Sequence, residues 1–181
     1  MSVTEGSSLE ITFPDEFADE VTNGNAEAEV RFKMTVGRSL VLGQPDKGTK
    51  EFGVSYINNL LEGIVAAFHE EGHLACFAED VTCLVFQPVV GKDLVVVSKY
   101  IRSPRAREMA SPRTDVPEEF DDWYPQGVAD TCTLAHEVIT AGSRLRERII
   151  SINPSCAESP LVTEFDSLIG QARQLYAAEC E

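Results

Sequence analysis

A nine-residue run from Ala28 to Val36 alternates apolar and polar side chains, and this feature constrains the fold most. Such alternation predicts a β-strand with one buried face, because successive side chains of a strand point to opposite sides of the sheet. A shorter alternating run, Leu9 to Phe13, ends at Pro14, and turn-forming residues lie at 22–25. We expect the two runs to pair as a hairpin, with a short helical turn between them.

Three amphipathic helices are expected after this hairpin, because apolar residues recur there every three or four positions. The first is predicted to begin with Ser55 as its N-cap and to run to about Glu71. The second has an apolar stripe that starts at Val128, and it ends before Asn153. The third has Ser159 as its N-cap, with a proline at the first helical position.

Two long segments, 74–101 and 102–127, lie between the first and second of these helices, and a shorter one, 43–53, precedes the first. Residues 74–101 are dense in β-branched side chains and predict three strands, the last two joined by a turn at 89–93. Residues 43–53 and 102–127 are rich in turn-forming residues and predict loops.

The predicted fold class is α+β: a mixed or antiparallel sheet of about five strands, with one central helix and two C-terminal helices packed on it. A chain of 181 residues is near the usual size of one domain, so residues 1–181 are expected to form a single α+β domain.

The Pro-rich loop at 102–127 is the candidate partner-binding segment. It holds the only tryptophan of the chain beside a tyrosine, after a run of acidic residues. Aromatic side chains in an acidic setting are typical anchors for a protein partner, although the tryptophan can equally pin the loop to the core. The residues of this hypothesis are Glu118, Glu119, Asp121, Asp122, Trp123 and Tyr124.

The net charge of −15, from 30 acidic and 15 basic residues, limits the classes of partner. It repels phosphate backbones, so we expect no direct nucleic-acid binding, and anionic membrane surfaces are disfavoured for the same reason. Three explanations of the acidity remain open: general solubility, halophilic adaptation, and a surface that covers a basic protein partner.

The five cysteines are widely spaced and form no C-x-x-C pair, so a disulfide scaffold is not expected. The N-terminal sequence lacks the features of a secretory signal, and no apolar run approaches the length of a membrane-spanning helix. We therefore expect a cytoplasmic protein whose cysteines are reduced and mostly buried.

One motif carries chemistry. His69-Glu70-Glu71-Gly72-His73 fits the pattern H-E-x-x-H, in which two histidines four apart on a helix bind one zinc ion. In that interpretation His69 and His73 are metal ligands, and Glu70 is the general base that polarises the metal-bound water. The candidates for a third ligand are His136, Glu137 and Asp166.

The same five residues resemble the H-E-x-G-H helix of the membrane-associated ATP-dependent zinc proteases. The resemblance implies that Asp166, in the last helix, takes the place of a carboxylate third ligand. It does not extend to an ATPase module. The competing interpretation is a helix end, because Gly72 is the residue type that most easily takes the left-handed conformation following a helix. His73 would then open a strand, and the two histidines would not share a helix face.

Two functions therefore stand as hypotheses. The preferred one is a non-enzymatic acidic interaction protein of the inhibitor, immunity or adaptor type, which binds a basic protein partner and needs no cofactor. The alternative is a zinc-dependent hydrolase or peptidase that uses the His69–His73 motif. Whether the first long helix stops before Gly72 or continues through it distinguishes them.

Overall fold

The computed structural model describes residues 6–44, 46, 48–76, 82–101 and 123–181. The strands are β1 (Ser8–Thr12), β2 (Glu29–Val36), β3 (Ser39–Leu42), β4 (Thr49–Phe52), β5 (His73–Cys76), β6 (Thr82–Pro88), β7 (Leu94–Ile101) and β8 (Trp123–Asp130). The helices are α1 (Phe17–Thr22), α2 (Gly53–Phe68), α3 (Thr131–Ile152) and α4 (Pro160–Cys180), with a short 3₁₀ turn at Pro154–Glu158.

Two antiparallel four-stranded sheets form the β part of the fold, which confirms the α+β class. In the first sheet β1 pairs with one edge of β2, while β3 and β4 lie end to end along its other edge. The second sheet is a meander in the order β5-β6-β7-β8. The predicted number of about five strands is too low.

The hairpin predicted from alternation is present. Leu9 lies opposite Met34 and Ile11 opposite Phe32, and these four side chains are buried. Burial alternates strictly along β2, and α1 occupies the connection between β1 and β2. The apolar faces of β1 and β2 join one continuous core with α2, α3 and α4.

The two sheets come into contact where β8 passes the end of β2. A Cβ atom on Gly127 would lie 2.2 Å from the backbone oxygen of Val36, so no larger residue fits there without a shift of the backbone. Residues 123–127, predicted as loop, are instead part of β8, because they pair with β7.

Two further boundary predictions are wrong. Val128 lies in β8 rather than on the next helix, because the side chain of Asp130 caps α3 by accepting a hydrogen bond from the Thr133 amide at 2.8 Å. The segment 43–53, predicted as loop, contains β4 and the start of α2. The predicted cap of α4 is confirmed, since the Ser159 hydroxyl accepts from the Val162 amide.

The expectation of reduced cysteines is wrong for one pair. Cys132, at the start of α3, and Cys180, at the end of α4, form a disulfide across a sequence separation of 48, with Cα atoms 5.7 Å apart. Cys156 is a buried thiol, as expected. Among the described helices, none is long and apolar enough to cross a bilayer.

Candidate functional site

The His69–His73 segment begins where α2 ends. The helix stops at Phe68 rather than near Glu71, and His69 is its C-cap residue. Glu70, not Gly72, takes the left-handed conformation, with φ of 56°. The amide of Glu71 then donates back to the carbonyl of Ala66 at 2.9 Å, which closes the last turn.

Glu70 is bound to a neighbouring turn. Its carboxylate Oε1 accepts a hydrogen bond from the backbone amide of Gly91 at 2.9 Å, in the turn between β6 and β7. The residue proposed as a general base thus has a structural contact that ties the end of α2 to the second sheet.

The two histidines of the motif lie in different environments. His69 is exposed at the helix end, whereas His73 opens β5 and is buried. The shared helix face that the zinc interpretation assumes is therefore not formed. The zinc assignment itself stays a prediction.

His73 lies close to a second titratable side chain, Glu62 of α2. Its Nε2 lies 3.7 Å from Oε2 of Glu62 on α2, and burial lowers the pKa of His73 below its ordinary value. The pKa of Glu62 is raised, first by desolvation and then by the negative charge of Glu164 on α4. The buried position therefore favours neutral imidazole, and the half-buried carboxyl favours its protonated form.

The candidates for a third ligand make other contacts. Asp166 binds Arg146 through both carboxylate oxygens, at 2.7 and 3.0 Å, which joins α4 to α3. Glu137 accepts from the Leu9 amide at 3.3 Å and so satisfies the outer edge of β1. The ring of His136 lies 5.9 Å from that of Tyr176. Within the described ranges no group of three His, Cys, Asp or Glu side chains is placed to hold a metal ion.

The predicted partner-binding segment is described only at its end. Trp123 and Tyr124 are backbone members of β8, opposite Tyr100 and Lys99. Glu118, Glu119, Asp121 and Asp122 lie outside the described residues. The hypothesis that this segment anchors a partner stays a prediction.

A different acidic surface is fully described. Lys50 of β4 pairs with Glu29 of β2, and the charges of Glu16 and Glu20, in the α1 region, act on Lys50 through space. Lys50 forms an ion pair with Glu29, and the pKa of Lys50 is raised, chiefly by its hydrogen bond to Glu29, with smaller contributions from the charges of Glu16 and Glu20. We call these three carboxylates, with Lys50 and the adjacent Phe52, the acidic patch.

Phe52 gives the acidic patch an apolar component. It lies opposite Glu29 in the pairing of β4 with β2, and 39% of its surface is exposed. This surface was not predicted from the sequence because β4 was predicted as loop. The available signal was the pair of glutamates four apart before Val21, which share one helix face once α1 forms.

Comparisons with known proteins identify no relative of this chain: no family model, curated protein or solved structure matches it.

Proposed function

We propose that this protein is a non-enzymatic interaction protein that binds a protein partner with a basic surface through the acidic patch. The observation that carries the proposal is the exposed aromatic ring of Phe52 opposite Glu29, whose ion pair with Lys50 lies within the field of two further carboxylates, Glu16 and Glu20. Such a combination supplies the two components of a typical interface, a charged rim and an apolar anchor.

The charges of the acidic patch are suited to recognition rather than to internal stabilisation. Glu16 is exposed, and Glu20 is partly exposed, with its Oε2 accepting a hydrogen bond from Asn25 Nδ2 at 3.0 Å and its other oxygen open to a partner. Only Glu29 is neutralised by an ion pair with Lys50, and this pair is itself more than one third exposed on the lysine side. The surplus negative charge would steer a basic partner towards this corner, adding to the long-range attraction from a net charge of −15.

Phe52 is the anchor in this proposal. A ring that is partly exposed on the outer face of a sheet gains apolar contact when a partner covers it, and aromatic residues frequently contribute much of the binding free energy at interfaces. Its position opposite Glu29 places apolar and acidic groups within one contact area.

The test uses affinity capture followed by measured binding. A basic protein captured at low salt with the wild-type chain is identified by mass spectrometry, produced in pure form and titrated by calorimetry. Replacing both α1 carboxylates, as Glu16→Lys with Glu20→Lys, is expected to weaken binding about tenfold or more, as is Phe52→Ala alone.

A control variant with the same change in net charge tests whether the loss of binding is specific to the acidic patch. Glu179→Lys with Glu181→Lys makes the same change in net charge at the far end of the helix pair. α1 lies at the C-terminal end of α3, where Asn153 donates to the Val21 carbonyl, whereas Cys180 is joined to the N-terminal end of α3. The 22 residues of α3 separate these ends by about 33 Å.

The outcomes separate partner binding from solvent adaptation. The proposal expects a marked loss of affinity in the acidic patch variant, a small loss in the control, and weakening with salt, since exposed charges are screened over about 8 Å at physiological ionic strength. An equal effect of both variants would show that net charge alone attracts the captured protein, and would overturn the assignment of the acidic patch.

A further inference from the structure

An open groove with a volume of about 490 Å³ lies on the outer face of the first sheet. It shares no lining residue with the acidic patch, which borders it where Arg31 lies opposite Lys50, and it is lined by residues of β1 and β2 and by Asp46 and Gly48 between β3 and β4. The polar side chains that line it are Glu10, Thr12, Arg31, Lys33 and Asp46. The volume falls within the range of small-molecule sites, roughly 300–1,000 Å³.

Two cations in this groove form no ion pair with any residue that the structure describes. Arg31 and Lys33 lie on the same face of β2, about 7 Å apart along the strand. No ion pair joins either of them to a residue in the described part of the chain. In a chain with twice as many acidic as basic residues, two adjacent cations without an ion pair require an explanation.

The neighbour of Arg31 makes its position less favourable still. Arg31 lies directly opposite Lys50 of β4, and like charges in that relation repel each other. Glu29 offsets the charge of Lys50, but no carboxylate among the described residues forms an ion pair with Arg31. A bound anion would relieve this repulsion, and a guanidinium binds a carboxylate through two parallel hydrogen bonds.

The connection between β3 and β4 completes the groove. Gly48, with φ of 68°, lies so close to β2 that a Cβ atom would be 2.5 Å from the Phe32 carbonyl oxygen. This close contact fixes the end of the connection against the sheet and places Asp46 beside Arg31 and Lys33 in the lining. A residue with a side chain at position 48 would lift the connection away from the sheet.

The charge of the lining selects among anions. Glu10 lies directly opposite Lys33, so the groove holds two carboxylates as well as two cations and is formally neutral. A phosphate dianion would add two uncompensated negative charges inside an acidic molecule. A ligand with one carboxylate and one ammonium group would leave the groove neutral and would match both kinds of side chain.

From this geometry we infer that the groove binds a small zwitterion of the α-amino acid type. Arg31 and Lys33 hold the ligand carboxylate, Glu10 and Asp46 accept hydrogen bonds from the ligand ammonium, and the Thr12 hydroxyl, directly opposite Arg31, adds a polar contact. This binding does not depend on the protein partner proposed above.

The test is a titration of the full chain with each of the standard protein amino acids at millimolar concentration, observed through the ligand NMR signals. The amino acid that binds is then compared with its N-acetyl form, which lacks the ammonium, and with its amide, which lacks the carboxylate. Both derivatives are expected to bind about tenfold more weakly or worse, since each loses charge-assisted hydrogen bonds. Inorganic phosphate is expected to bind no better than the derivatives.

Matched variants locate the site. Arg31→Gln and Asp46→Asn are each expected to weaken binding about tenfold, whereas Arg148→Gln, which removes an exposed arginine on α3, leaves the affinity unchanged. Circular dichroism verifies that each variant is folded. The inference is overturned if no amino acid shows saturable binding, if phosphate or the N-acetyl form binds as tightly as the parent, or if folded Arg31→Gln binds normally.

Discussion

The Glu70 carboxylate accepts a hydrogen bond from the Gly91 amide at 2.9 Å, while the backbone of Glu70 holds a φ of 56°. A non-glycine residue in this region costs of order 1 kcal/mol, so the surrounding contacts must hold it there. The contact joins the end of α2 to the β6–β7 turn. The His69–His73 segment, which resembles a zinc-binding helix in sequence, thus follows the end of α2 and is hydrogen-bonded to the β6–β7 turn.

The Glu70 contact predicts a stability difference between two adjacent glutamates. Glu70→Ala removes a charged acceptor from the Gly91 amide and keeps the left-handed strain, so we expect it to lower the free energy of unfolding by about 1 kcal/mol. Glu71→Ala removes an exposed side chain and is expected to change stability by less than about 0.5 kcal/mol. Urea unfolding of both variants measures the difference, and equal midpoints would contradict the structural role of Glu70.

Alternation and helical periodicity were sufficient to predict the elements that face the core. Val30, Phe32 and Met34 are buried as predicted, because the pattern of a long amphipathic strand reports its burial directly. The same information failed for β3 and β4, which are four residues each and flank the connection fixed by Gly48. Strands this short carry too few side chains to show a period.

The site features were less predictable because they depend on contacts distant in sequence. The H-E-x-x-H pattern fixes residue types and spacing, but it does not contain the contact of Glu70 with Gly91, 21 residues away, that follows the end of α2 at Phe68. The acidic patch likewise requires β4 to pair with β2 before Lys50 meets Glu29. Neighbouring residues in the sequence predict neither the contact of Glu70 with Gly91 nor the pairing of β4 with β2.

The buried His73 predicts a loss of stability in mild acid. Because burial lowers its pKa in the folded state, the stability it contributes is present above its unfolded pKa of 6.5 and is lost as the pH falls through the lowered value. We expect urea midpoints to fall between about pH 7 and about pH 5, and to fall less in His73→Gln. The exposed variant His69→Gln is the control, with a wild-type pH dependence; identical slopes in all three proteins would contradict the prediction.

Glu62 predicts an effect of opposite sign. Its pKa is raised, mainly by desolvation, so its contribution to stability is present below the unfolded pKa of 4.5 and is lost as the pH rises through the raised value. At neutral pH the folded state therefore holds an unfavourable carboxylate. We expect Glu62→Gln to raise the unfolding midpoint at pH 7 and to lose this advantage in acid.

A substitution of Glu164 tests the explanation given for the raised pKa of Glu62. Its charge is the second cause of the raised pKa of Glu62, so Glu164→Gln is expected to stabilise the protein at neutral pH by less than Glu62→Gln does. The two changes together should give less than the sum of their separate effects, since they remove the same repulsion. A destabilising Glu62→Gln would show instead that the contact of Glu62 with His73, at 3.7 Å, outweighs desolvation.

The Cys132–Cys180 disulfide predicts a large and specific dependence on reductant. The bond closes a loop of 48 residues that contains both helices of the α3–α4 pair, and the chain-entropy model assigns a loop of this size about 4 kcal/mol. We expect dithiothreitol to lower the unfolding midpoint of the wild type, and expect Cys132→Ser with Cys180→Ser to reproduce this midpoint without reductant. Alkylation of the folded, unreduced protein followed by mass spectrometry should leave Cys132 and Cys180 unlabelled, and a reductant effect that persists in the double variant would assign the stabilisation to another pair of cysteines.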